Sequence, residues 1–198
     1  MQARSEETRT HILEAALRRF ASVGYNAASV EDICTAAGVS KGAFYHHFPS
    51  KQALFLALLN DWLATLDAGF EAARKANVPE TLLAFTEMLP AIFAAADGRL
   101  TMFLEFWLQA SRDEAVWQAS IAPYERYQQF FTALVEQGQA EGSLRADVEA
   151  SSAARAIVGL AVGLLLQALL NPQANWERTA QESMEILLNG LMHKRTTT

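Results

Sequence analysis

The chain is poor in the residues that cross-link, rigidify or anchor a protein. Its 198 residues hold one cysteine, Cys34, so no intramolecular disulfide framework can form. Five prolines and ten glycines stand mostly between apolar runs, which fits an all-helical protein. No apolar run reaches the roughly 18 residues of a membrane span. The longest, Ala156 to Leu170, has fifteen residues and is broken by Gln167. The N-terminus, MQARSEETRT, is polar and lacks the apolar segment of a signal peptide, so a cytoplasmic protein is expected. Low-complexity segments and internal repeats are missing too. Histidine is scarce: His11, His46, His47 and His193. Three of them lie in the N-terminal third, and the aromatic-rich region offers no acid/base pair at useful spacing. Neither an enzyme nor a cofactor is expected.

Positive charge is also in short supply. Sixteen Lys and Arg face 22 Asp and Glu, for a net charge of −6. On its face that argues against a nucleic-acid binder. The distribution softens the objection. Residues 1–51 hold six basic and five acidic residues, a net of +1, and the remainder holds ten and 17, a net of −7. Any DNA contact near the N-terminus therefore rests on a few placed side chains and on dimerisation.

One stretch stands out, Ser29 to Lys51, SVEDICTAAGVSKGAFYHHFPSK. Val30, Ile33, Cys34 and Ala37 recur at i, i+3, i+4 and i+7, the spacing of one buried helical stripe. Ser29 with Asp32 three residues on is a capping-box pattern. Gly38 stands where that helix must stop, because glycine takes a left-handed backbone without penalty. Val39 can drop into the core, and Ser40 can cap the next helix. There Phe44 and Phe48 share an inward face. Lys41, Gly42, Ala43, Tyr45 and His46 are left on the other faces. Two short helices joined by a tight turn, with small residues beside Lys and Tyr, suit insertion into a DNA major groove. His46 and His47 point about 100° apart and have no ligand partner at i+4, so no metal site is expected. Cys34 lies on the apolar stripe, where a thiol packs and stays inert.

At these residues the chain resembles the TetR family of transcriptional regulators. The signature includes Ile12, Ala15, Ala16 and Phe20, then Gly24-Tyr25, Ser29-Val30, Ile33, and Ala36-Ala37-Gly38-Val39-Ser40. It continues with Gly42, Phe44-Tyr45, His47-Phe48, Lys51 and Leu54-Phe55. It spans residues 6–66. The remainder is loosely similar to the C-terminal domains of betaine-regulator-like members. The resemblance implies an all-α protein: a three-helix helix-turn-helix domain over 1–50, with its motif at 29–48, and a helical ligand-binding and dimerisation domain over 51–198. About nine helices are expected, near 6–23, 29–37, 41–48, 50–75, 80–96 (kinked at Pro90), 100–111, 113–141 (bent at Pro123), 147–170 and 175–192.

The DNA contacts follow residue by residue. Lys41 either donates to guanine O6 and N7 or binds a phosphate as a point charge. Gly42 and Ala43 permit close approach. Tyr45, one turn after Lys41, resembles the family tyrosine that meets the backbone or a base edge, and His46 shares this exposed helix. His47 and Lys51 flank the start of the fourth helix, a natural phosphate seat. The hydroxyls of Ser29 and Ser40 either reach phosphates or only cap.

In the second region, thirteen of fourteen aromatics fall between Phe55 and Phe131, and the last is Trp176. Trp62, Phe85, Met88, Leu89, Phe103, Phe106, Trp107, Tyr124, Tyr127 and Phe131 either line a ligand cavity or form ordinary core. Glu105 either lies on an exposed helix edge or, if buried, would need a partner such as a cationic ligand in an aromatic cage. The 147–170 helix is apolar nearly all round, with Gly159 and Gly163 one turn apart. With the last helix it forms either a two-fold interface or a monomer core. The interface reading names Ile157, Gly159, Leu160, Gly163, Leu164, Gln167, Met184, Leu187 and Leu191.

The expected partners are a palindromic double-stranded DNA operator, a second copy of the chain and a small-molecule effector. The expected function is a repressor released by a largely apolar or amphipathic ligand. An activator, control by a protein partner, or a helical carrier of apolar ligands are the alternatives.

Overall fold

A computed structural model describes residues 2–88 and 114–192, without the side chains of residues 2–4, 115, 119, 120 and 122. The described residues form eight helices and no strand. They are α1 (Gln2–Ala27), α2 (Val30–Ala37), α3 (Lys41–His47), α4 (Lys51–Ala72), α5 (Val78–Thr86), α6 (Glu114–Ala140), α7 (Ala150–Leu170) and α8 (Trp176–Leu191). The expected 100–111 helix and the Pro90 kink lie outside the described residues. Helix α6 runs on through Pro123.

The chain divides into two compact units. Residues 2–67 and 114–120 fall in one, and residues 68–88 and 121–192 in the other. In the first unit α1, α2 and α3 pack on one another. Their apolar stripes supply Ile12, Leu13, Ala15, Ala16, Phe20, Ile33, Cys34, Phe44 and Phe48, all buried. Gly24 has non-helical torsions (φ 81°, ψ 161°) and breaks α1, which turns Tyr25 back toward the core. Its ring lies 5.4 Å from that of Phe20 and 4.8 Å from that of Phe55. Phe20 and Phe55 meet edge-on at 5.7 Å.

The second unit is built on a separate core. Val78, Leu82, Phe85, Phe131, Leu134, Val135, Leu144, Ala153, Ala154, Ile157, Met184, Leu188 and Leu191 form one buried cluster. Polar groups fasten the helix ends around it. Asn77 caps α5 by accepting from the Glu80 N–H, and Glu141 accepts from the Val78 N–H at 2.9 Å. The Gln139 amide donates to the Arg145 and Val148 carbonyls, which pins the α6–α7 connection. The Arg145 N–H donates to the Leu191 carbonyl and ties that connection to the end of α8.

Glu149 caps α7, accepting from the Ser151 and Ser152 N–H groups at 3.1 and 2.6 Å. Hydrogen bonds to the charged form hold its carboxyl at about 2. A glutamate in the unfolded chain titrates near 4.3, so between the two values the unfolded state binds more protons. The stabilisation is complete above that upper value and is lost as pH falls toward 2. Glu149→Gln should therefore lower the thermal midpoint by a constant amount above pH 5, and the gap should close on acidification, as read by circular dichroism melts.

Candidate DNA-binding surface

The local sequence builds a helix-turn-helix piece by piece. Ser29 starts α2 with a complete capping box: its hydroxyl oxygen accepts from the Asp32 N–H at 3.0 Å, and the Asp32 carboxylate accepts from the Ser29 N–H at 3.2 Å. The Ser29 hydroxyl also donates to the Asp32 carboxylate at 2.7 Å, and this bond, with that from the Ser29 N–H and with Arg19 nearby, holds the Asp32 carboxyl below the usual carboxylate range. Ile33 and Cys34 are buried, and Val30 and Ala37 are half-buried. Burial pushes the Cys34 thiol up, which disfavours the reactive thiolate. Gly38 ends α2 in the left-handed region (φ 67°, ψ 31°), and the Val39 N–H then bonds back to the Cys34 carbonyl at 3.0 Å. Ser40 begins α3, accepting from the Ala43 N–H at 3.1 Å.

Helix α3 is held by its inner face and offers its outer one. Phe44 is 0% exposed and Phe48 is buried beside it. Arg9 of α1 lies over the Phe48 ring at 5.5 Å. Lys41, Gly42, Tyr45 and His46 are exposed, and Ala43 and His47 half-exposed. Tyr45 keeps 54% of its surface in solvent, high for an aromatic residue. A Cβ added at Gly42 would meet only the Ser40 hydroxyl, at an ordinary 3.7 Å. Among the described residues nothing thus requires a glycine there. Helix propensity disfavours one.

The cations behave differently from one another. The Lys41 ammonium donates to the Glu31 carboxylate of α2 at 2.9 Å, and this bond raises its pKa. The Lys51 ammonium points inward. It donates to the carbonyls of Tyr25 at 2.8 Å and Ala28 at 2.9 Å and lies 4.4 Å from the centre of the Tyr25 ring. The spacing places Lys51 beside a phosphate; in the structure its ammonium fastens the end of α1. The start of α4 is capped by Ser50, whose hydroxyl accepts from the Ala53 N–H at 3.0 Å. Two features of this surface are not legible from local pattern: the Glu31 partner of Lys41, ten residues away, and Arg9 over Phe48.

Two family signatures cover this architecture. That of the bacterial regulatory proteins of the tetR family matches residues 12–58, and that of the C-terminal domain of BetI-type transcriptional repressors matches residues 79–193, more than half of the chain. The chain belongs to the TetR family. It is a DNA-binding transcriptional regulator of the helix-turn-helix type, in a family of regulators and not of enzymes. It is 24% identical to the Escherichia coli K12 transcriptional regulator UidR over 193 residues, 97% of this chain and 96% of that protein. It is 29% identical to the Mycobacterium sp. GP1 transcriptional repressor DhaR over 142 residues, 71% of each. A transcriptional regulator from Saccharomonospora viridis, crystallised with choline, shares the fold. It has a TM-score of 0.81 at 22% identity and covers 96% of this chain and 100% of that one.

The other expected TetR sites are only partly brought together. Leu89, Phe103, Glu105, Phe106 and Trp107 lie outside the described residues. Trp62 belongs to the first unit, and Tyr124 is exposed. Phe85, Phe131 and Tyr127 do gather, around a ring the spacing does not single out. Phe70 lies 4.7 Å from Phe85, 5.8 Å from Phe131 and 6.0 Å from Tyr127 between ring centres, and stacks on Phe130 at 5.7 Å. Met88 is half-buried against this group, and Arg74 lies over the Phe130 ring. Phe85 and Phe131 are buried and belong to the core of the second unit.

On α7 and α8 four of the expected interface residues pack within the chain itself. Ile157, Met184 and Leu191 belong to the chain's own core, and Leu164 packs with Ala180 in a smaller cluster. An all-round apolar helix does not reveal by periodicity which side its own chain covers. Gly159 and Gln167 are exposed, while Leu160, Gly163 and Leu187 are half-buried. The outward apolar residues are Leu166, Leu170 and Ile186, with Leu170 87% and Ile186 74% exposed. Helices α4 and α7 are both long and apolar enough to cross a membrane, although each buries one face in the protein.

The inward geometry of Lys51 gives a direct test. Lys51→Met should destabilise the protein by about 1–3 kcal/mol, because it leaves part-buried carbonyls without a donor. Urea unfolding would measure it. A variant as stable as the parent, with weakened DNA binding, would return Lys51 to the phosphate contacts.

Proposed function

We propose that the chain is a homodimeric repressor that binds a palindromic operator and is released by a small, largely apolar or amphipathic ligand. Residues 1–50 serve as the DNA-binding domain and 51–198 as the ligand and dimer domain. The protein works in the cytoplasm, where bacterial DNA is found. The observation that carries this reading is the outer face of α3, an exposed Lys41, Gly42, Tyr45 and His46 on a helix anchored from behind by Phe44. Such a helix can enter a major groove while Ser29 and Ser40 stand close to the backbone. DhaR is itself named a repressor, which supports the sign of regulation.

Dimerisation is supported by the apolar surface left uncovered on α7 and α8. Leu166, Leu170 and Ile186 face solvent, and among the described residues nothing beyond its own stretch of helix lies within 4 Å of a Cβ placed on Gly159. A two-fold partner helix would cover this face, with Gly159 and Gly163 allowing close approach. Two recognition helices set about 34–36 Å apart would then reach successive grooves. For the effector, Phe70, Tyr127 and Phe130 are half-exposed rings suited to a compact cation or an apolar group. Choline, bound by the Saccharomonospora viridis relative, is the first compound to try. A ligand releases the operator only if it binds the two forms of the dimer with different affinity, and α4, which belongs to both units, would carry the change.

Selection of bound sequences from a random duplex library tests the core of this reading. A palindrome with half-sites about one turn apart is expected; a folded protein that enriches nothing would overturn it. Tyr45→Ala should weaken operator binding at least tenfold with dimerisation intact. Gly42→Ala should do the same while holding or raising the thermal midpoint, an outcome a structural glycine would not give. Replacing both Leu170 and Ile186 by Glu should yield folded monomers in sedimentation analysis, with operator binding lost.

A further inference from the structure

Nearly all the positive charge of the helix-turn-helix is already engaged. Among the described residues 5–51, Arg18 pairs with Glu14, Arg19 with Asp32, and Arg9 lies over Phe48. Lys51 is spent on backbone carbonyls. Lys41, at the start of α3, is held at 2.9 Å by Glu31, with both side chains mostly in solvent, at 58% and 73% exposed. Folding does not explain this pair. An exposed ion pair of this kind adds little stability. Asp32 provides the capping box of α2, and Glu31 and Asp32 both place negative charge in its first turn, a benefit that does not require Lys41. Thr35 bonds the Glu31 backbone carbonyl, and among the described residues the carboxylate pairs with Lys41.

We propose that Glu31 is a specificity-determining residue of the DNA surface, holding Lys41 as a base reader and preventing it from acting as a phosphate anchor. An ammonium has three N–H donors. Glu31 takes one, and two remain for the O6 and N7 acceptors of a guanine. A phosphate approaching the same ammonium also meets the Glu31 carboxylate, and the two like charges repel. Toward the backbone, which every sequence shares, the pair is close to neutral; toward a base edge it is still a donor. Binding common to all sequences scales with the phosphates a protein neutralises. Glu31 therefore lowers non-specific affinity more than specific affinity, and their ratio decides occupancy in a genome.

This rests on the reading that α3 enters the groove. The test compares the parent, Glu31→Gln, Lys41→Met and the double variant on a scrambled duplex and on the selected site, across a salt series. Glu31→Gln should bind the scrambled duplex at least fivefold tighter, and its log K should fall more steeply with log salt by about 0.9 per protomer. Its specificity ratio should fall, and its thermal midpoint should not change. Lys41→Met should cancel the gain. The proposal is overturned if Glu31→Gln leaves the scrambled-duplex affinity and slope unchanged. It is also overturned if the gain survives in the double variant, because Glu31 would then act by general repulsion and not through Lys41. Indifference of both duplexes to Tyr45→Ala would instead remove α3 from the groove, a separate failure.

Discussion

A seven-residue helix has no stability of its own in water, because nucleation costs more than so few hydrogen bonds return. Helix α3 exists because Phe44 is removed from solvent, with Phe48 beside it under Arg9. Burying a ring of that size contributes about 1.5–3 kcal/mol, comparable to what a lone helical turn lacks. Everything the outer face of α3 presents depends on that inner contact. The caps at Ser29 and Ser40 and the left-handed turn at Gly38 set the angle at which the contact can be made.

The second constraint is electrostatic. A protein with net charge −6 meets a polyanion, and its DNA-binding part has little positive charge to spare. Affinity then depends on a few oriented donors. The inward turn of Lys51 and the pairing of Lys41 with Glu31 belong to the same economy. One cation stabilises the frame. The other is kept at the surface in a partly compensated form.

The two units solve different problems. The first buries its apolar stripes behind a polar outer face. The second gathers Phe70, Phe85, Phe130 and Phe131 into its interior and leaves α7 and α8 with Leu166, Leu170 and Ile186 in water. Apolar surface of that kind is costly to leave bare.

Much of the helix-turn-helix was legible in the chain, because its signals are local. Capping, a helix stop at Gly38 and the i, i+4 pairing of Phe44 with Phe48 act over fewer than five residues. The C-terminal end of α7 and both ends of α8 fall within a residue of the expected 170 and 175–192. Other features needed the folded chain. Glu31 meets Lys41 across a turn, and Lys51 reaches back more than twenty residues to the end of α1. Phe70 sits in a helix whose apolar residues do not mark it out, yet it becomes the centre of the aromatic group. Ile157 and Leu164 turn inward although a uniformly apolar α7 gives no hint of its own side. The sequence alone determined the helices, the turn and the outward α3 residues, because backbone preferences and periodicity are written in neighbours. The tertiary structure alone decided which charges are spent and which apolar residues are covered, because both depend on groups brought together from distant parts of the chain.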